Sequence, residues 1–350
     1  MTNVKFRIAV RCESAGRPNN EDNYQVGANL NEEEWSFTTD EEVELSSRGA
    51  LLVVADGMGG MNAGEVASAL AIDTIKEWFA PSNLTDDTLA NSKSIKKHIR
   101  GAIQAADQVI KNEGDSDKGK RGMGSTIVLA WLVDKSIYVA WCGDSRAYCF
   151  NATDGLVRLS HDHSYVQELV DTGKLNPELA FDHPENNIIT RSLGDTRSKA
   201  NPDIREFPLR NEDIFLLCSD GLCGVLRDAE IENAISENIS SPGAIRNALW
   251  ERSYQAGWDD NVTIVLCQVV SGAENEEEEA EEKLQSDDPG PELIRTESGN
   301  TKKKSKFLFI LFLLLLLLAG GFSIYQYGNE IREWGISIYH WLFSAPAGQG

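Results

Sequence analysis

Up to about residue 270 the apolar residues fall into short blocks bounded by turn formers. Blocks of this length, rich in Val, Ile and aromatic residues, predict strands over Phe6–Cys12, Ala50–Ala55, Ser125–Val133, Ser136–Trp141, Arg146–Asn151, Asp213–Cys218 and Val262–Val270. A longer period predicts helices over Gly64–Phe79, Ser94–Glu113, Tyr165–Thr172, Asp228–Ser236 and Pro242–Ala256. In the first of these, Val66, Ala67, Leu70, Ile75, Trp78 and Phe79 share a broad stripe. Strands that follow one another through Val133-Asp134-Lys135-Ser136 and Cys142-Gly143-Asp144-Ser145 imply antiparallel sheets. Helices come in blocks, not after every strand, which is an α+β layering and not a parallel βα repeat. Asn29–Arg48, rich in Glu, reads as a surface excursion between the first two strands.

The pattern changes toward the C-terminus. Residues 271–300 carry eleven acids against Lys283 and Arg295, and Pro289 and Pro291 interrupt any helix, so 271–306 reads as an acidic, self-repelling linker ending in Lys302, Lys303, Lys304 and Lys306. Residues 307–325 then run without a charge, with seven leucines in the eight positions from Leu311 to Leu318. A hydrocarbon core about 30 Å thick takes about 20 helical residues, so this run predicts one transmembrane helix. Lysines crowd its N-terminal flank and only Arg332 follows it, which places residues 1–306 in the cytoplasm and 326–350 in a short extracytoplasmic tail. The expected location is the cell membrane, single-pass, with membrane lipid as one partner. No secretory signal peptide opens the chain.

Charge narrows the function classes. The 350 residues carry 33 Lys+Arg and 55 Asp+Glu, a net charge of -22, which is the wrong sign for a generic nucleic-acid binder. It suits a protein that holds divalent cations on carboxylates. The six cysteines (Cys12, Cys142, Cys149, Cys218, Cys223, Cys267) include no CxxC pair and sit mostly in apolar blocks, so they read as reduced core thiols.

Four aspartates share one context. Asp56, Asp144, Asp220 and Asp260 each stand at the end of a predicted buried strand. Singly, an Asp beside Gly is an ordinary turn residue. Together at strand tips, the four would repel and rise in pKa unless a cation neutralised them, and an all-oxygen donor set selects Mg²⁺ or Mn²⁺ over zinc. Near the N-terminus Arg17 precedes Asn20-Glu21-Asp22, a planar phosphate-binding fork beside further acids. The glycines in Asp56-Gly57-Met58-Gly59-Gly60 and Gly122-Met123-Gly124-Ser125-Thr126 fit neither the P-loop nor the G-x-G-x-x-G pattern.

The ordered set Arg17…Asn20-Glu21-Asp22, Val54-Ala55-Asp56-Gly57-Met58-Gly59-Gly60, Gly124-Ser125-Thr126, Gly143-Asp144-Ser145-Arg146, Thr190-Arg191-Ser192-Leu193-Gly194, Ser219-Asp220-Gly221-Leu222 and Asp260-Asn261-Val262-Thr263 resembles the PP2C (PPM) metal-dependent serine/threonine phosphatases in their bacterial form. The resemblance covers about residues 5–270, within a soluble domain of 1–270. It implies a four-layer αββα sandwich of two antiparallel sheets flanked by helices. It implies two core Mn²⁺ or Mg²⁺ ions and a weaker third. By that resemblance Asp56 bridges the two core ions, the Gly57 carbonyl binds one, and Asp220 and Asp260 hold the other. Glu21 acts through a water and Asp22 supports that water network, Arg17 grips the substrate phosphate, and Asp144 with Asp220 forms the third site.

The implied chemistry is hydrolysis of phosphoserine and phosphothreonine by a hydroxide shared between two ions, with Arg17 and the ions stabilising the equatorial charge. Some family members place a general-acid His where this chain has Met58. The resemblance also implies phosphoprotein substrates and, by analogy, a Ser/Thr kinase at the same membrane. Within it, Leu159–Asp195 reads as a flap beside the site, with Tyr165–Thr172 as its helix. The alternative for His161, His163 and His183 is a zinc set, which lacks a matching Cys or acid. The alternative for the whole chain is a catalytically silent binding or scaffold module at the membrane; its mark would be a lost ligand, and the sequence shows none.

Overall fold

A computed structural model describes residues 3–59, 63–257 and 259–273. Among them the first sheet contains β1 (Lys5–Glu13), β3 (Val43–Glu44), β8 (Arg146–Asn151), β9 (Gly155–Arg158), β11 (Ile214–Cys218) and β12 (Val262–Ser271), in the order β3-β1-β12-β11-β8-β9. The second contains β2 (Asp22–Gly27), β4 (Ala50–Met58), β6 (Ile127–Val133), β7 (Ser136–Cys142) and β10 (Asp203–Pro208), in the order β10-β7-β6-β4-β2, with β5 (Gly124–Ser125) added to β4. The ladders are antiparallel throughout. The helices are α1 (Ala63–Trp78), α2 (Asp86–Leu89), α3 (Ser92–Ser116), α4 (Tyr165–Asp171), α5 (Asp220–Cys223), α6 (Asp228–Ser236) and α7 (Pro242–Ala256).

The strands of the interior are apolar on consecutive positions because both their faces are covered. In β4, Leu52 and Val54 face the other sheet while Leu51, Val53 and Ala55 face α1 and α3. In β12, Val265, Cys267 and Val269 face the first group's opposite number across the sandwich, and Ile264 and Leu266 face α6 and α7. The result is helix on sheet on sheet on helix, with three apolar seams. Two helix starts are fixed by side chains: Asn91 Oδ1 accepts from Ser94 N at 3.0 Å, and Ser241 Oγ accepts from Ala244 N at 3.2 Å with Pro242 following it.

Several expectations shift in detail. The buried face of α1 is centred on Ala67, Ala71 and Ile75, while Val66, Leu70 and Trp78 lie at its margin. Small residues there let the helix sit close on the sheet. Val133 and Ser136 do close a hairpin, with Asp134 at a positive φ of 56°. Cys142-Gly143-Asp144-Ser145 does not: it carries the chain from β7 in one sheet to β8 in the other. Strands β2, β9 and β10 carry too many polar residues to show an apolar block and were not expected. The Asn29–Arg48 excursion runs from β2 to β4 and is pinned by Asp40, whose carboxylate accepts from Gly243 N at 2.7 Å at the head of α7. The linker beyond 273, the apolar run 307–325 and the tail 326–350 lie outside the described residues. No helix among the described residues is long and apolar enough to cross a membrane.

Leu52 is fully buried in the seam between the sheets. Leu52→Ala should lower unfolding free energy by about 2–5 kcal/mol, read as an earlier midpoint in urea, since a rigid sandwich cannot collapse around the lost methyls.

Candidate active site

Antiparallel pairing gathers one end of many strands. At that end Glu13 pairs with Val262, Cys218 with both Ile264 and Arg146, Asp22 with Asp56, and Ile127 with Cys142. Asp22 therefore opens β2 directly opposite Asp56 near the end of β4. Asp220 opens α5 just past β11, Asp260 stands just ahead of β12, and Asp144 lies in the crossover between the sheets. The sequence groups Asp22 with Arg17 and Glu21 near the N-terminus and predicts no strand there; the structure makes it a strand residue and a cross-strand neighbour of Asp56.

The acids converge closely enough to perturb one another. Burial, then the charges of Asp22, Asp220 and Asp144, push the Asp56 carboxyl well above the ordinary aspartate value, and Asp56 and Asp220 are hydrogen-bond partners. Burial, then Asp220 and Asp162, push Asp144 well up. Burial and Asp260 raise Asp220. Asp22 is raised to about 7, burial leading, against the opposing hydrogen bonds from Ser219 and Thr263. Burial raises Glu21, with Arg17 opposing. Each shift says that the charged form lacks compensation.

Those residues fit divalent cations. The donors are all oxygen, and the Asp144 Oδ1 atom is buried without a hydrogen-bond partner. Two further donors meet beside α1: a Cβ built on Gly64 would lie 2.8 Å from the Gly57 carbonyl oxygen and 2.9 Å from Glu21 Oε2. A Cβ on Gly57 would in turn strike the Gly64 carbonyl at 2.1 Å, so both positions require glycine. Among the described residues no three or more His, Cys, Asp or Glu side chains close into a finished cage. The set is an open one, linked pair by pair. Arg17, half exposed, donates through Nη2 to Asp260 Oδ2 at 2.8 Å and through Nε to the Asp259 carbonyl at 2.7 Å.

Neutral side chains brace the acids, and sequence reasoning had given them no role. Asp22 Oδ2 accepts from Ser219 Oγ at 2.6 Å and from Thr263 Oγ1 at 2.7 Å, tying β2 to the β11 and β12 ends. Thr126 Oγ1 accepts from Asp56 N at 3.1 Å and lies 2.7 Å from Ser145 Oγ. Asn261 Oδ1 accepts from Glu21 N at 2.8 Å, while its Nδ2 donates to the carbonyls of Ser14 and Asn19. The signal was their place inside the quoted motifs, each next to or near an acid.

Asp144, Asp220 and Asp260 form the floor of a cleft of about 610 Å³, walled on one side by α4 and the segment to Asn187. Phe181 and Arg227 stand at its rim, Arg227 packing 4.2 Å over the Phe181 ring and pairing with Asp182 at 2.7 Å. The three histidines do not form a set. His161 pairs with Asp171 at 2.8 Å, His163 faces Asp203 at 3.2 Å, and His183 Nδ1 accepts from Glu185 N at 3.2 Å.

The family model for Protein phosphatase 2C matches residues 9–262. The Serine/threonine phosphatase stp of Listeria monocytogenes is 34% identical over 219 residues, 62% of this chain and 84% of that protein. The Serine/threonine protein phosphatase PstP of Mycobacterium tuberculosis is 32% identical over 267 residues, 76% of this chain but 45% of that longer protein. Among solved structures, Serine/threonine phosphatase Stp1 from Staphylococcus aureus superposes with a TM-score of 0.64 at 31% identity, covering 76% of this chain and 95% of that one. The catalytic domain of PstP in complex with two manganese ions superposes with a TM-score of 0.61 at 29% identity, covering 77% and 100%.

The Asp22 shift has a definite sign. Its ordinary value is 3.8 and its folded value about 7, so between them the folded chain keeps a proton that the unfolded chain has lost. The stability that this group contributes is fully present below its ordinary value and is lost as pH rises toward about 7. With a chelator present, Asp22→Asn should show a shallower loss between pH 4 and 8 than the wild type, measured by urea unfolding at each pH.

Proposed function

The chain belongs to the protein phosphatase 2C family of metal-dependent serine/threonine protein phosphatases, and from that premise we propose that it is a membrane-anchored enzyme working on phosphoserine and phosphothreonine proteins in the cytoplasm. The observation that carries the catalytic part is the gathering of Asp22, Asp56, Asp144 and Asp220 at the joint of the two sheets, their charged forms disfavoured together. In this reading Asp56 and the Gly57 carbonyl would help to hold a pair of Mn²⁺ or Mg²⁺ ions. Asp220 and Asp260 would hold the ions from the other side, Glu21 would act through a water, and Asp144 with Asp220 would hold a weaker third ion. When bound, such ions supply acidified water and neutralise the charge of the transferring phosphoryl group.

The chain's own residues do the rest. Asp22 keeps its carboxylate aimed into the site because Ser219 and Thr263 both grip its Oδ2. Arg17 offers the substrate phosphate a planar fork whose Nε and one Nη2 hydrogen are already anchored on the 259–260 backbone and carboxylate. That anchoring orients the remaining N–H groups before substrate arrives, which is the preorganisation that electrostatic catalysis needs. Met58 has no proton to give, so the leaving alkoxide is not protonated from position 58. The cleft between the acids and the α4 wall is the place for the phosphorylated segment in this reading.

Domain boundaries follow the sequence: a phosphatase domain over 1–270, an acidic linker over 271–306, a transmembrane helix over 307–325 and an outer tail over 326–350. The support for the anchor is the length and polarity of that run and its lysine flank. A Ser/Thr kinase on the same membrane would supply the phosphorylated substrates.

Two measurements test the reading. Asp56→Asn and Asp220→Asn should each cut Mn²⁺-dependent hydrolysis of a phosphothreonine peptide by roughly 10²–10³-fold or more, with the far-ultraviolet circular dichroism unchanged; wild-type-like turnover in either would overturn the site. Deleting 307–350 should move the protein from the membrane pellet to the supernatant while turnover persists, and continued sedimentation with membranes would remove the anchor.

A further inference from the structure

His163 sits outside the acid set yet clamps the crossover that presents Asp144. Its side chain is 3% exposed. Gly143 N donates to His163 Nδ1 at 3.2 Å, and His163 N donates back to the Gly143 carbonyl at 2.9 Å. The residue before Asp144 is thus held from both sides. Gly143 itself has a positive φ of 127°, and a Cβ there would lie 2.6 Å from Thr126 Cβ, so the turn has one conformation and little room to reach another. The Trp141 ring stacks on the imidazole at 6.2 Å and 26°.

The tautomer follows from these bonds. Because Nδ1 accepts from Gly143, the ring proton is on Nε2, which donates to Asp203 Oδ2 at 3.2 Å on β10. Arg191 Nη1 completes the cluster, 3.3 Å from His163 Nε2 and 3.5 Å from the other Asp203 oxygen. Burial pulls the His163 pKa below its ordinary value, in keeping with a neutral ring. The same residue closes the base of the wall over the cleft: Thr190 N donates to the His163 carbonyl at 2.8 Å, Tyr165 N to the Ile188 carbonyl at 2.8 Å, and Ser164 bridges Ile189. The ring of His163 therefore joins the Asp144 turn to the edge strand β10, while its backbone ties the same turn to the base of the 164–189 segment.

We propose that His163 is a positioning residue that fixes Asp144 for cation binding by clamping Gly143 against the base of the cleft wall. This rests on the reading of Asp144 as a cation ligand. Partners of this kind, which orient a ligand without touching the ion, typically change metal affinity by about 10–100-fold when removed. Asn places an oxygen where His has Nδ1 and keeps an acceptor for Gly143 N. Gln reaches instead toward the Nε2 position and leaves that amide without its partner.

The experiment is a Mn²⁺ titration of the detergent-solubilised full-length protein, followed by electron paramagnetic resonance of free Mn²⁺ and by calorimetry. The variants are wild type, H163Q, H163N and D144N. H163Q should weaken the weakest class of Mn²⁺ sites roughly tenfold or more and leave the tighter sites within about twofold. H163N should recover most of that loss, and D144N should abolish the weakest class. Wild-type Mn²⁺ binding by H163Q, with the weakest class lost in D144N, overturns the positioning role. Equal loss at all sites in both His163 variants also overturns it, since that is a general packing effect. Persistence of the weakest class in D144N overturns the ligand reading of Asp144, and the proposal with it.

Discussion

Like charge brought into a dry place is the constraint around which this structure is arranged. Two unit charges about 4 Å apart repel by about 4 kcal/mol at an effective dielectric of 20. Here Asp22 lies opposite Asp56 across a ladder, and Asp56 contacts Asp220 from the other sheet. A cross-strand pair of like charges would ordinarily weaken the ladder it sits in. The chain tolerates the arrangement because the rest of each strand is buried on both faces and its register cannot slip without exposing that apolar surface. The sandwich thus supplies the rigidity, and the strand tips carry the strain.

Uncharged neighbours decide where that strain points. Ser219, Thr263, Thr126 and Asn261 all donate or accept within about one hydrogen-bond length of an acid or its backbone. None of them can hold a cation strongly alone. Ser219 and Thr263 remove rotamer freedom from the Asp22 carboxyl, while Thr126 and Asn261 fix the backbone of Asp56 and Glu21, so that little reorganisation remains when charge develops on a substrate. Glycines at 57, 64 and 143 serve the same end by letting backbone come closer than any side chain permits.

Much of this was legible in the sequence, for physical reasons. Long apolar blocks marked β4, β6, β11 and β12 because strands covered on both faces have no polar side to confuse the pattern. Helices α3, α6 and α7 were legible from their period. The edge strands β2, β9 and β10 were not, since half-exposed strands carry residues such as Asp22, Asn23 and Arg205 that also suit loops. The site residues were found by motif order, yet their partnership was hidden. Nothing in Asn20-Glu21-Asp22 announces that Asp22 will face Asp56, because register is set by distant contacts. The crossover at Cys142–Ser145 reads in sequence as a hairpin turn, since a chain of four small or polar residues looks alike whether it returns along one sheet or steps to another.

That step between sheets has a consequence for the life of the molecule. Acids from both halves of the sandwich meet there, so a bound cation would act as a clasp across the seam and its affinity would add to the free energy of the folded state. Without the ion, the same joint would be held by packing and hydrogen bonds alone.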